Sequence, residues 1–212
     1  MRRLPVYLVL DTSGSMSGEP IEAVKNGLQV LVSTLRQDPY ALETAYLSVL
    51  TFDSAAKQIV PLTELASFQM PSLTAGGTTA LGDALALLGQ RIDAEVEKTT
   101  AEKKGDWKPL VFLMTDGSPT DDWQRGLAGL HKAKTGMVVA CAAGPSGDST
   151  VLKQITEVVV QLDTADSATI KAFFKWVSAS VSSGSQKADS GQKEVTGLGD
   201  LPPPPPEVNV VM

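Results

Sequence analysis

The apolar residues of this chain fall into short continuous runs that alternate with stretches of helical spacing. Val6-Tyr7-Leu8-Val9-Leu10 is unbroken by polar residues and rich in β-formers, the pattern of a strand covered on both faces. From residue 19 to 36, Ile21, Val24, Leu28, Leu31, Val32 and Leu35 recur every three or four positions, with Pro20 in the first turn. That spacing predicts a helix, ended by Asp38-Pro39. Residues 45–52 and 57–62 read as strands, close enough to form a hairpin at a sheet edge. Gly76-Gly77-Thr78-Thr79 opens a long helix with Leu81, Leu85, Leu88 and Ile92 on one face, and its polar continuation over 95–105 belongs in solvent. Then follow a strand over 110–115, a helix over 121–134, a strand over 137–143, a short helix over 150–155 and a strand over 158–162. A final helix over 167–182 carries Thr169, Ala172, Phe173, Trp176 and Val177 as its apolar face.

Strands alternating with helices predict an α/β fold: a Rossmann-like doubly wound sheet, mostly parallel with one antiparallel edge strand and helices on both faces. The pattern fails at residue 183, where Ser, Gly, Lys, Gln and Asp take over and Pro202 to Pro206 follow. That composition buries no core, so residues 1–182 are expected to form the domain and 183–212 a flexible or extended tail. No internal repeat is visible.

Charge and cysteine content narrow the function. A net charge of −6 disfavours a general nucleic-acid binder, which needs a cationic face. One cysteine and one histidine, Cys141 and His131, exclude a disulfide within the chain and disfavour a four-ligand structural zinc site. The apolar run after Arg2-Arg3 stops at Asp11, too short to span a membrane and without a small-residue cleavage site. The expectation is a cytoplasmic protein with no membrane partner.

Three loops carry the chemistry, at what the pattern predicts is one edge of the sheet, where doubly wound folds bind ligands. Asp11-Thr12-Ser13-Gly14-Ser15 leaves the first strand, Thr115-Asp116-Gly117-Ser118 leaves another, and Gly76-Gly77-Thr78-Thr79 enters a helix. Two carboxylates brought together there repel each other unless a cation intervenes. With the hydroxyls of Ser13, Ser15 and Thr78 they make an oxygen-only shell suited to Mg²⁺ or Mn²⁺ rather than zinc, with Ca²⁺ as a further alternative. The alternation of Asp11, Ser13 and Ser15 lets three side chains converge from one loop, with Gly14 permitting the turn. Two carboxylates just neutralise a divalent ion, which leaves it able to take an external acidic ligand.

DTSGSMSG, GGTTALGDAL and LMTDGSPTD resemble the three segments of the metal-ion-dependent adhesion site (MIDAS) of von Willebrand factor A (VWA) domains. The family's Asp-x-Ser-x-Ser is matched by Asp11, Ser13 and Ser15, its threonine by Thr78 with Thr79 the poorer fit, and its second aspartate by Asp116. The resemblance covers about residues 4 to 182 and implies a protein-binding module rather than an enzyme, its metal completed by a carboxylate from a protein partner. Within the family the whole chain is similar to the bacterial TerY-like group of tellurite-resistance and stress-response operons. That likeness implies a scaffold accompanying a protein kinase and a PP2C-type phosphatase. Some such relatives end in a cysteine-rich zinc module; this chain has the proline-rich tail instead.

Competing readings are weaker on the residues. A haloacid-dehalogenase-like phosphatase needs a second acid where Ser13 stands, a phosphate-binding loop needs Gly-Lys where Gly82-Asp83 stands, and no G-x-S-x-G elbow occurs. His131 reads as a surface residue and Cys141 as a buried small hydrophobe. Asp121 and Asp122 read as helix-start residues, and Asp53 and Asp83 as structural or supporting. Trp107 and Trp123 fit either core packing or apolar contact beside the metal. Two other functions stay open: a metal-independent scaffold that docks through the proline run, and a metal-dependent hydrolase.

Overall fold

The computed structural model describes residues 2–190 and 194–211. Its elements are β1 (Leu4–Asp11), α1 (Glu19–Leu35), α2 (Pro39–Thr44), β2 (Ala45–Phe52), β3 (Ala56–Glu64), α3 (Leu81–Glu95) and β4 (Leu110–Thr115). They continue with α4 (Trp123–Leu130), β5 (Val138–Ala143), α5 (Ser149–Ile155), β6 (Val158–Leu162), α6 (Ser167–Asp189) and β7 (Asn209–Val211). The strands join into one sheet of order β3-β2-β1-β4-β5-β6-β7. β2, β1, β4, β5 and β6 run parallel, and β3 and β7 pair antiparallel at the two edges.

Alternation along β1 shows how the two layers are fed. Leu4, Val6, Leu8 and Leu10 face a core shared with α1, α2 and α6, whereas Tyr7 and Val9 face one shared with α3, α4 and α5. Burial on both faces is why the strand contains no polar residue before Asp11. Consecutive crossovers carry the chain outward from β1 to β2 on one side and, after α3, from β4 to β6 on the other. The direction of winding therefore reverses between β1 and β4.

The structure departs from the sequence reading in five places. α3 ends at Glu95 and does not continue over 95–105, where Gly105 is buried. Asp38-Pro39 ends α1 but also starts α2, because the Asp38 carboxylate accepts hydrogen bonds from Tyr40 N and Ala41 N and Pro39 needs no donor in the first turn. α4 is shorter than expected, ending at Leu130. The buried face of α6 is centred on Ile170, Phe173, Phe174 and Val177, with Thr169 and Ala172 only half-buried. The largest difference is the expected flexible tail. α6 continues past residue 182 to Asp189, and residues 194–211 return along the domain, burying Val195, Leu201 and Val208. Pro202 O accepts from Trp176 Nε1 at 2.8 Å, and β7 pairs with β6, giving a second antiparallel edge where one was expected. Serine-rich composition does not stop a helix whose small residues allow close packing: Gly184 lies under Leu4 and Leu110, and Ser185 beside it is buried.

Candidate metal centre

Asp11 is the last residue of β1, and Asp116 follows the last residue of β4. Those strands are neighbours at the reversal point, where the crevice of a doubly wound sheet opens, so topology brings the two carboxylates together. Asp11 is 1% exposed and Asp116 7%. Ser13 N donates to Asp11 Oδ1 at 2.8 Å, and Thr115 Oγ1 donates to Asp11 Oδ2 at 2.6 Å. Ser15 Oγ donates to Asp116 Oδ1 at 2.6 Å, and the hydroxyls of Ser13 and Ser15 lie 3.0 Å apart. A hydrogen-bonded path of oxygens thus runs from Asp116 through both serines toward Asp11.

The third loop is stitched onto the first. Gly76 N donates to Thr12 O at 2.9 Å, and Gly14 N donates to Gly77 O at 3.1 Å. Gly14 does not adopt a positive φ; a Cβ there would stand 3.3 Å from Gly77 O, so it serves close approach rather than the turn expected of it. Gly77 does need its freedom, with φ 77° and a Cβ that would fall 2.5 Å from Ser54 Oγ. Thr78 is exposed, and its amide and hydroxyl both engage Ser54 Oγ, at 3.2 and 3.4 Å. Asp11, Ser13, Ser15 and Asp116 therefore form one hydrogen-bonded group, with Thr78 in the adjoining loop and its hydroxyl turned toward Ser54. Thr79 is buried, its amide held by Thr120 Oγ1 at 3.1 Å.

Burial holds the Asp11 carboxyl above the usual aspartate range; hydrogen bonds from Ser13 and Thr115 oppose that, and the nearby Asp116 charge adds to it. A cation beside both groups would relieve the burial cost and the repulsion together. Among the described residues no three His, Cys, Asp or Glu side chains gather to hold a metal, so an ion here would draw on hydroxyls and water as well as two carboxylates. Such a donor set fits a hard, oxygen-seeking divalent cation.

The von Willebrand factor type A domain model matches residues 6–176 of the chain. The protein belongs to this family. A relative, the uncharacterized protein sll0103 of a Synechocystis strain, is 35% identical over 123 residues, which take in 55% of this chain but only 26% of that protein. The chain thus spans about a quarter of the curated relative it matches. Among solved structures, a von Willebrand factor type A protein from Catenulispora acidiphila superposes with TM-score 0.65 at 20% identity, over 86% of this chain and 43% of that one. The pilus adhesin SpaC of Lactobacillus rhamnosus GG gives TM-score 0.68 at 14% identity, over 86% of this chain and 31% of that one. Proximal thread matrix protein 1 of the mussel byssus, solved with a zinc-occupied MIDAS motif, gives TM-score 0.61 at 20% identity, over 84% and 48%. These likenesses establish the fold.

The remaining polar residues of this VWA domain divide into supports and bystanders. Thr115, Ser54 and Thr120 were not singled out in the sequence, yet each anchors a loop residue named above. Thr115 carried a signal: Leu10 stands opposite Met114, so the next row of the register places Thr115 beside Asp11. Asp122 caps its own helix, accepting from Arg125 N, but Asp121 serves α3 instead, accepting from Gly82 N and Asp83 N at 2.9 and 2.8 Å. Asp53 and Asp83 accept backbone amides of Ala55 and Ala56. Trp107 is buried in the segment before β4, at the opposite end of the sheet, with Arg2 over its ring. Partly buried Trp123 opens α4 and packs against the core on that face. His131 is exposed at the far end of α4, and burial pushes the Cys141 thiol up. No helix among the described residues is long and apolar enough to cross a membrane.

Proposed function

We propose that this VWA domain is a metal-dependent protein-binding module. The observation that carries the proposal is the hydrogen-bonded group of Asp11, Ser13, Ser15 and Asp116 at the reversal point of the sheet. In this reading those four residues and Thr78 hold Mg²⁺ directly or through water, Thr78 after its hydroxyl turns from Ser54. A bound ion would supply Lewis acidity toward an anionic ligand, which in this reading is a carboxylate of a partner protein. Asp11 and Asp116 supply the charge, Ser13 and Ser15 neutral donors, and Thr115 fixes the Asp11 carboxylate.

We read the role as binding rather than turnover; His131, the one histidine, lies exposed at the far end of α4, away from the group. Docking through a free proline run finds less support, since Pro202 is tied to Trp176 and Val208 is buried. On the resemblance of the whole chain, we place the partner in a bacterial stress-response or tellurite-resistance system of the kinase and PP2C-phosphatase kind, in the cytoplasm.

Calorimetric titration of Mg²⁺ and Mn²⁺ into chelator-treated protein tests the reading, with wild type beside Asp11→Ala. Saturable binding in wild type, lost in a variant with an unchanged circular dichroism spectrum, is the expected outcome. Equal binding in both proteins, or none in either, overturns it.

A further inference from the structure

The loops around the proposed metal centre share a charge bias. Residues 11–19, 52–56, 74–83, 115–123, 143–150 and 162–169 either leave the carboxyl ends of the parallel strands or enter helix N-termini at that same end. They contain ten Asp or Glu and no Lys, Arg or His. None of the ten is ion-paired to another described residue; the ion pairs among the described residues lie on α1 or involve Arg2, Arg3, Lys98, Lys103, Lys108 and Lys187. Most of those cations belong to the opposite end of the sheet.

Several of these acids have a local use, because five helices start here and their first amides need acceptors. Asp122, Asp148 and Asp166 cap α4, α5 and α6, and Glu19 accepts from Ser167 N. Each helix N-terminus contributes roughly half a positive charge, and a bound divalent ion would offset two more negative ones, so about five negative charges remain uncompensated. Glu19, Asp83, Asp122 and Asp163 are exposed, which leaves that surplus facing solvent around the crevice. A partner whose carboxylate sits among other acids would be repelled before it reached the ion.

We infer that the partner presents its metal-seeking carboxylate within a basic surface, flanked by lysine or arginine. This rests on the metal-centre reading above and narrows it: the ion would select the carboxylate, and the rim the charge around it. Complementary fields of this kind speed encounter by roughly ten- to a thousandfold and weaken with salt.

Three synthetic peptides of equal length test the inference by fluorescence anisotropy against the full chain in Mg²⁺: one glutamate flanked by lysines, one flanked by serines, and a glutamine flanked by lysines. The expected result is that the lysine-flanked glutamate binds on the order of tenfold more tightly than the serine-flanked one. The gap should narrow as sodium chloride is raised, and chelation should abolish its binding. The combined variant Glu19→Gln, Asp122→Asn, Asp163→Asn retains the side-chain acceptors and should lose much of the gap while binding Mg²⁺ as wild type does. Equal binding of the two glutamate peptides overturns the inference and leaves the metal reading intact. Chelator-insensitive binding of the glutamine peptide, as tight as that of the glutamate peptide, overturns the carboxylate's role. No detectable binding of the lysine-flanked glutamate overturns the inference, and the Mg²⁺ titration then decides separately whether the metal centre survives.

Discussion

At Asp11 a carboxylate stands where little water reaches it, held by one backbone amide and one threonine hydroxyl. Those two hydrogen bonds favour the charged form, but burial works against it more strongly, so the group takes up a proton at a higher pH than an ordinary aspartate. Proton and metal compete for the same oxygens. Affinity for Mg²⁺ should therefore fall as pH falls, with the decline beginning above the normal aspartate range, and titrations across a descending pH series will show it. An affinity that stays flat until ordinary aspartates protonate would mean that Asp11 is not a ligand. The spacing of Asp11, Ser13 and Ser15 was legible in the sequence because one loop contains all three. Thr78 was legible as a position but not in its orientation, which depends on Ser54, 24 residues earlier. Asp121 was misassigned for the same reason: the helix it caps begins about forty residues before it.

Among the elements, the parallel strands and their helices were readable because burial on both faces leaves long unbroken apolar runs. The return segment after α6 was not. Its anchors, Val195, Leu201 and Val208, follow no helical or strand period, and the prolines between them resemble a linker. Yet the segment covers the outer edge of β6 and accepts the Trp176 indole hydrogen. Ending the chain after Ser190 should lower stability on the order of 3 kcal/mol or more, from three apolar side chains no longer buried. It should also leave the β6 edge open to self-association. Thermal unfolding with light scattering checks both effects, and an unchanged melting temperature would show that the return segment contributes nothing.

The molecule as a whole was foreseen as a mostly parallel sheet with two helical layers, and its family follows from the match over residues 6–176. What a linear reading could not supply was the stitching of loops that are about sixty residues apart. Thr12 O with Gly76 N and Gly14 N with Gly77 O form two rungs between the serine loop and the threonine loop. Neither loop can lift alone while both rungs hold, so the two should open together. In hydrogen–deuterium exchange, the amides of Gly14 and Gly76 should then share a single opening free energy. Saturating Mg²⁺ should raise the protection of both by the same factor, and unequal factors would show that the two loops open independently. If the loops open together, a ligand that seats on one has its arrival written into the exchange clock of the other.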